Sequence, residues 1–122
     1  MSPFFKSFIY AFNGLKIALS ERNMRVHIVF ALAAITLGFV FHISMMEWII
    51  VLICIGLVIA LEMINTAIEY LVDLVSPEFN EKAGKIKDIA AGAVLVISFF
   101  VLIVGGLIFC KHLLILLKSQ IY

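Results

Sequence analysis

Residues 89–110 read IAAGAVLVISFFVLIVGGLIFC and contain no Asp, Glu, Lys or Arg over 22 positions. A run of about 18 or more such residues is typical of a membrane-spanning helix, which needs about 20 residues to cross the hydrocarbon core. A second run covers residues 26–46, with 21 positions whose only ionisable side chains are His27 and His42. Both runs predict spanning helices.

A third apolar segment lies between these two runs. It is free of charge for only 14 residues, from Trp48 to Leu61, a length that alone favours a buried core helix. The chain is 65% hydrophobic and 14% charged, with a mean hydropathy of +1.22. A soluble domain is about half apolar and a quarter charged. Little soluble core is therefore left for this segment to join, and we predict that residues 48–70 form a third span within one membrane domain covering residues 1–122.

Residues 4–19 have the pattern of an amphipathic helix. Lys6, Asn13 and Lys16 interrupt apolar residues that recur at helical spacing: Phe4, Phe5, Phe8, Ile9, Phe12, Leu15 and Leu19. Such a helix lies in the membrane interface with its apolar face towards the lipid. The alternative is that these residues merely extend the first span.

The distribution of Lys and Arg predicts the orientation in the membrane, since cytoplasmic loops carry the excess of these residues. Four precede the first span and three lie in the polar connector 76–88, whereas the first turn has none and the C-terminal tail has two. We therefore expect the N-terminus and the second connector to be cytoplasmic. The net charge of +1 gives no reason to expect a nucleic-acid partner.

Four polar residues form a stripe along the third apolar segment. Glu62, Asn65, Glu69 and Asp73 follow one another at spacings of 3, 4 and 4. At about 100° per residue, these spacings place all four on one narrow helix face. Carboxylates inside a membrane are costly and usually functional. The simpler explanation, that Glu69 and Asp73 mark the end of the span in water, stays open.

Position along the stripe suggests different chemistry for each acid. Glu62 lies about 21 Å along the axis from Trp48, inside a hydrocarbon core about 30 Å thick, where partial loss of water suits a general base. Glu69 lies about 10 Å nearer the cytoplasm. There Glu69, with Glu21 at the same membrane face, offers the oxygen ligands that Mg²⁺ prefers. Lys85, Lys87 and Asp88 stand at the cytoplasmic mouth, where lysines bind phosphates or simply anchor the span.

Three classes of protein fit these residues. The first is a kinase that joins a phosphate donor from water to a lipid hydroxyl. The second is an oligomeric proton or cation conduit, although Ile49 to Ala60 contains no polar residue beyond Cys54 and Gly56. The third is a packing subunit, suggested by Gly105-Gly106, but small residues permit close helix contact in any membrane protein.

Two motifs carry a resemblance to a known family. The first is Glu62-Met-Ile-Asn65-Thr66-Ala-Ile-Glu69-Tyr-Leu-Val-Asp73, and the second is Ala83-Gly84-Lys85-Ile86-Lys87-Asp88 followed by Ala90-Ala-Gly-Ala93. With these motifs and the acid at Glu21, the chain resembles the prokaryotic diacylglycerol kinase family, which includes undecaprenol kinases. The resemblance covers nearly the whole chain. It implies a homotrimeric kinase of the bacterial cell membrane that uses Mg-ATP and a lipid alcohol.

The resemblance also implies roles for individual residues. Glu62 matches the catalytic base, and Glu21 and Glu69 match the metal ligands, with Asn65 beside them. The positions that match nucleotide contacts are Tyr10, Glu21, Glu69, Glu78, Asn80, Lys87 and Asp88. The family's N-terminal basic ATP contact falls near Pro3, so Lys6 is the candidate replacement. Asp73 and Arg25 complete the set as supporting residues.

The substrate and the assembly follow from further residues. Glu21-x-Asn23-x-Arg25-x-His27 is similar to the undecaprenol kinase branch, but diacylglycerol stays open because both lipids are primary alcohols. The spans 26–46 and 89–110 offer no Lys or Arg to pair with Glu62. We therefore expect neighbouring subunits to cover the stripe, with Glu21 of one chain free to join Glu69 of another.

Overall fold

The computed structural model describes residues 1–122 as four α-helices without strands. The helices are α1 (Pro3–Leu19), α2 (Arg22–Val40), α3 (Met45–Val75) and α4 (Glu81–Ile121). Three of them, α2, α3 and α4, are long and apolar enough to cross a membrane. The expected all-helical fold with three candidate spans is therefore confirmed.

Helix α1 begins where its sequence supplies a cap. The side chain of Ser2 accepts a hydrogen bond from the backbone N–H of Phe5, and Pro3 occupies the first turn, where it leaves no helical hydrogen bond unmade. Phe4, Phe8 and Phe12 are each more than half exposed. These exposed rings belong to the apolar face that we predict contacts the membrane interface.

The turn between α2 and α3 lies inside the first apolar run. The first span was predicted to continue to residue 46, but α2 ends at Val40. The prediction was too long because the turn Phe41–Ser44 contains no Asp, Glu, Lys or Arg and so cannot be told from the span by the absence of charge. His42 has a φ of 50°, in the left-handed region. Ser44 then caps α3: its Oγ accepts from the Glu47 N–H, while Glu47 Oε1 accepts from the Ser44 N–H, both at 3.2 Å.

The same end of the bundle ties α3 to α4, and we call it the turn end. Glu47 Oε2 lies 3.0 Å from His112 Nε2 and 3.4 Å from Lys111 Nζ. Beneath this cluster, Ile43, Val51 and Ile108 form a small buried core. The two long helices are thus held together at the turn end by charge as well as by apolar contact.

The connector between α3 and α4 is shorter than the polar segment 76–88 suggests. Asn80 Oδ1 accepts hydrogen bonds from the N–H groups of Lys82, at 2.9 Å, and Ala83, at 3.1 Å, so α4 begins at Glu81. Only residues 76–80 separate the two helices. Lys85, Lys87 and Asp88 therefore project from the first turns of a helix and not from a loop.

Most of the apolar surface remains uncovered within one chain. Only 13 of the 122 residues are buried, and exposed large apolar side chains occur along all four helices. In water such a surface would aggregate. It is the surface expected of helices that lipid or further membrane helices surround.

Gly38 provides a stability prediction at the turn end. A Cβ at Gly38 would lie 2.6 Å from Cη2 of Trp48, so Gly38→Ala should force the ring away and lower the free energy of unfolding by about 1–3 kcal/mol. Unfolding in detergent can be followed through Trp48, the single tryptophan. Gly106→Ala is the matched control, since its Cβ would meet nothing within 4 Å. Equal stability of the two variants would show that this packing is unimportant.

Candidate active site

The polar stripe of α3 is buried at one end and exposed at the other. Glu62, Asn65 and Thr66 are 3%, 4% and 6% exposed, Glu69 is half-buried and Asp73 is exposed. The expectation that other subunits must cover the stripe is therefore wrong for its deep end. The chain's own helices already enclose Glu62 and Asn65, because the turn at residues 41–44 folds α2 back against α3.

Glu62 also has a partner within the chain. Nε2 of His27, on α2, lies 3.4 Å from Oε2 of Glu62, and the two side chains are 19% and 4% exposed. We expected the first span to offer Glu62 no charged partner. That span indeed contains no Lys or Arg, but its His27 is the partner that the expectation overlooked. One buried carboxylate and one imidazole therefore meet between α2 and α3.

Asn65 connects the deep end of the stripe to Glu69. Its Nδ2 donates to Glu69 Oε1 at 3.3 Å. Its Oδ1 is buried and has no hydrogen-bond partner. A buried, unpaired oxygen is uncommon in folded proteins and is available to accept a hydrogen bond or to bind a cation. Asn65 thus offers a free oxygen between the candidate base and the candidate metal ligand.

Glu21 reaches the same helix through a tyrosine that sequence reasoning did not single out. Tyr70 donates a hydrogen bond from its hydroxyl to Glu21 Oε1 at 2.9 Å. Glu21 sits at the junction of α1 and α2, and Tyr70 follows Glu69 on α3. The residue adjacent to a stripe position points about 100° away from it, so the stripe pattern gave no signal for Tyr70.

Glu21 and Glu69 form the oxygen-rich part of the site. No group of three or more His, Cys, Asp or Glu side chains is assembled to hold a metal by itself. Two carboxylates and the free Asn65 oxygen nevertheless suit Mg²⁺, which usually binds one or two protein carboxylates and completes its shell with water and substrate phosphate. The residues present therefore fit a metal that arrives with a nucleotide.

The α3–α4 junction contains the basic residues of the second motif. Lys87 forms an ion pair and hydrogen bond with Asp73, joining the exposed end of the stripe to α4. Nζ of Lys85 lies 3.7 Å from Oε1 of Glu81 on the same helix, and both side chains are exposed. Asn80 uses its side-chain oxygen to cap α4, which leaves its amide nitrogen for other contacts.

The remaining expected site residues lie at the surface. Tyr10 is 69% exposed on α1. Arg25 directs its guanidinium to the Ser20 carbonyl at 3.5 Å. Lys6, Glu78 and Asp88 are exposed as well. The structure thus gives each acid of α3 a partner: His27 for Glu62, Asn65 for Glu69 and Lys87 for Asp73. Glu21 contacts the same helix through Tyr70. The five residues named above stay open to solvent or lipid headgroups.

An apolar cavity of about 190 Å³ lies beside the buried acid. It is bounded by α2, α3 and α4, and its wall includes His27, which contacts Glu62. Ser98 Oγ, on α4, is buried there without a partner. The lining residues are Val26, His27, Phe30, Ala31, Ala34, Ile55, Val58, Ile59, Ser98, Val101 and Leu102. A hydrocarbon-lined space therefore reaches the immediate neighbourhood of a carboxylate.

Known proteins with similar sequences act on membrane lipids, which agrees with an acidic site beside an apolar cavity. The family model for prokaryotic diacylglycerol kinase matches residues 9–109. The undecaprenol kinase of Bacillus subtilis is 41% identical over 114 residues, which cover 93% of each chain. The diacylglycerol kinase of Synechocystis is 38% identical over 91% of this chain and 65% of its own length. The diacylglycerol kinase of Helicobacter pylori strain 26695 is 33% identical over 89% and 87%. The chain belongs to the prokaryotic diacylglycerol kinase family and is a membrane lipid kinase.

Proposed function

We propose that this kinase transfers the γ-phosphate of ATP to the primary hydroxyl of undecaprenol, with Glu62 as general base. The observation that carries the proposal is a buried carboxylate, 3% exposed, beside an apolar cavity and seven residues from Glu69 on the same helix. Seven residues correspond to about 10 Å along the helix axis. In this proposal the base lies at lipid depth and the oxygen ligands lie nearer water, which suits a reaction between one apolar and one aqueous substrate.

The chemical step needs a single proton transfer from the acceptor. The carboxylate of Glu62 takes the hydroxyl proton as the acceptor oxygen bonds to the γ-phosphorus. The bond between the γ-phosphorus and the bridging oxygen breaks, and ADP leaves with its electron pair. Glu21 and Glu69 would hold Mg²⁺, which supplies neutralising charge to the phosphate oxygens when bound. Asn65 keeps Glu69 in place through its Nδ2 hydrogen bond.

The nucleotide would approach from the α3–α4 junction. Lys87 and Asp88 stand on the first turns of α4, and Lys87 is already anchored by Asp73. A lysine that is held in one position loses less conformational entropy when it binds phosphate than a free lysine does. We assign Tyr10, Glu78 and Asn80 to the outer part of the nucleotide site, Lys6 to the place of the family's N-terminal basic residue, and Arg25 to substrate support.

Two considerations favour undecaprenol over diacylglycerol as the acceptor. Among the relatives compared above, the one named undecaprenol kinase has the highest identity and matches over nearly its full length. The cavity beside Glu62 is lined by nine apolar residues of eleven, and it offers few donors for the ester oxygens of diacylglycerol. The prenyl chain of undecaprenol is a hydrocarbon without ester oxygens, so it needs no such donors. Diacylglycerol is the second candidate, favoured by the names of the other two relatives.

A competition assay tests this preference. Purified protein in mixed micelles would receive equal mole fractions of undecaprenol and diacylglycerol, with ATP and Mg²⁺, and the two phosphorylated lipids would be separated. We expect undecaprenyl phosphate to predominate at every time point. Predominant phosphatidic acid would reverse the substrate assignment while leaving the kinase chemistry intact, and loss of both products would refute the proposed reaction.

We further propose a homotrimer whose N-terminus and α3–α4 connector are cytoplasmic. The positive residues flanking the spans support the orientation, and the exposed apolar faces of the helices support association. Because Tyr70 ties Glu21 to the helix that carries Glu69 in the same chain, we now expect each metal site to form within one chain.

A mixing experiment tests where the metal site forms. Chains carrying Glu21→Gln would be co-assembled with chains carrying Glu69→Gln, using two affinity tags to isolate mixed oligomers. Our expectation is no activity above that of the two single-variant parents, since neither chain has an intact pair. Mixing of wild-type with inactive chains is the positive control. Substantial recovery in the doubly tagged fraction would mean that Glu21 and Glu69 come from different subunits.

A further inference from the structure

The carboxylate of Glu62 has a single candidate stabilising partner in the chain. It forms no hydrogen bond, and His27 is the one basic side chain within ion-pair distance, at 3.4 Å. Glu62 is 3% exposed, so hydration by bulk water does little to stabilise the charge of its carboxylate. A buried carboxylate without a donor is costly and free to change rotamer, whereas a general base must stay within reach of its proton.

The surroundings of His27 leave Glu62 as its titratable neighbour. Helix α3 presents Glu62. The residues that α4 contributes to the adjoining cavity, Ser98, Val101 and Leu102, are all uncharged. On α2 itself, Arg25 is exposed and directs its guanidinium to the Ser20 carbonyl. His27 Nε2 therefore has no competing charged partner.

We propose that His27 is a positioning residue for Glu62, a role that rests on the proposed function of Glu62 as the base. In the tautomer with a proton on Nε2, the imidazole donates to Glu62 Oε2 and fixes the carboxylate. The second oxygen, Oε1, is then left to take the proton of the acceptor hydroxyl. The 3.4 Å separation is longer than a usual hydrogen bond, and contacts of this kind commonly shorten when substrate binds.

The position of His27 also explains how the base meets its substrate. His27 lines the apolar cavity on one side and contacts Glu62 on the other. A lipid chain that fills the cavity would press against the imidazole and hold it towards Glu62. The base would thus be oriented most firmly when the acceptor is present.

Two substitutions separate positioning from packing. His27→Met removes the donor while keeping an apolar side chain of similar length, and we expect kcat to fall roughly 10²-fold, as is typical when a reacting group is misplaced by about 1 Å. The KM values for ATP and lipid should change little. His27→Gln retains an N–H donor near the position of Nε2 and should recover most of the lost kcat. Thr36→Val, on the same helix, is the control, since Thr36 Oγ1 bonds only the Leu32 carbonyl.

A double-mutant cycle with Glu62→Gln completes the test. If His27 acts through Glu62, adding His27→Met to Glu62→Gln should lower the residual rate by less than twofold. The proposal would be overturned if His27→Met lowered the rate of Glu62→Gln by as large a factor as it lowers the rate of the wild type. It would also be overturned if His27→Gln recovered no more activity than His27→Met. Near-normal activity of Glu62→Gln alone would instead refute the base assignment, so the two failures are distinguishable.

Discussion

Glu62→Gln should reduce turnover by roughly 10²–10⁴-fold, the range typical for removal of a positioned general base. The amide keeps the size and shape of the carboxylate but cannot take the hydroxyl proton. KM for ATP should stay close to the wild-type value, because Glu62 is buried and lies about 10 Å along α3 from Glu69, the proposed ligand of Mg-ATP. The measurement is steady-state transfer of labelled γ-phosphate to the lipid acceptor.

The variant protein should fold normally. A neutral amide is less costly in an apolar environment than a carboxylate, and it still offers an oxygen to His27. Thermal unfolding in detergent provides the check. An active Glu62→Gln protein, within a few-fold of wild type, would exclude Glu62 as the base. A protein that fails to fold would be replaced by Glu62→Asp, which keeps the carboxylate but withdraws it by one methylene and should retain partial activity.

The second large effect is expected at Glu69. Glu69→Gln removes one of two carboxylates that suit Mg²⁺ and weakens the link to Asn65. We expect at least about a tenfold increase in the Mg²⁺ concentration for half-maximal activity, since a loss of about 1.4 kcal/mol in binding corresponds to tenfold. Turnover at saturating Mg²⁺ should also fall, because charge on the phosphate oxygens is less well neutralised.

Glu81→Gln is the matched control for Glu69→Gln. Glu81 is an exposed acid whose side chain lies near Lys85 alone, so its variant should show an unchanged Mg²⁺ requirement. Activity would be titrated with Mg²⁺ at fixed free ATP for both proteins. A Glu69→Gln protein that lost activity with an unaltered Mg²⁺ dependence would indicate a structural role for this acid.

The helices and the polar stripe could be predicted because their signals are periodic. Uncharged runs identify spanning helices, and acids at spacings of 3 and 4 share one helix face whatever surrounds it. The ends of the helices were harder to predict from the sequence. The turn Phe41–Ser44, like residues 26–40, contains no Asp, Glu, Lys or Arg, and only the Ser44–Glu47 capping pair marks the start of α3.

The partners of the stripe depend on tertiary packing and left little trace in the sequence. His27 precedes Glu62 by 35 positions and Glu21 precedes Tyr70 by 49, so both contacts require the relative rotation of two helices to be known. A search for Lys and Arg alone passed over His27. The unpaired oxygen of Asn65 likewise follows from burial, which depends on how the helices pack around it.

Phosphorylation of a lipid hydroxyl should depend on the carboxylate of Glu62. Purified wild-type and Glu62→Gln proteins in lipid vesicles would be compared, at equal protein, for incorporation of the labelled γ-phosphate of ATP into undecaprenol. We expect undecaprenyl phosphate and one ADP for each phosphate transferred by the wild type, and product near background with Glu62→Gln. Equal phosphate transfer by both proteins would show that Glu62 is not the base.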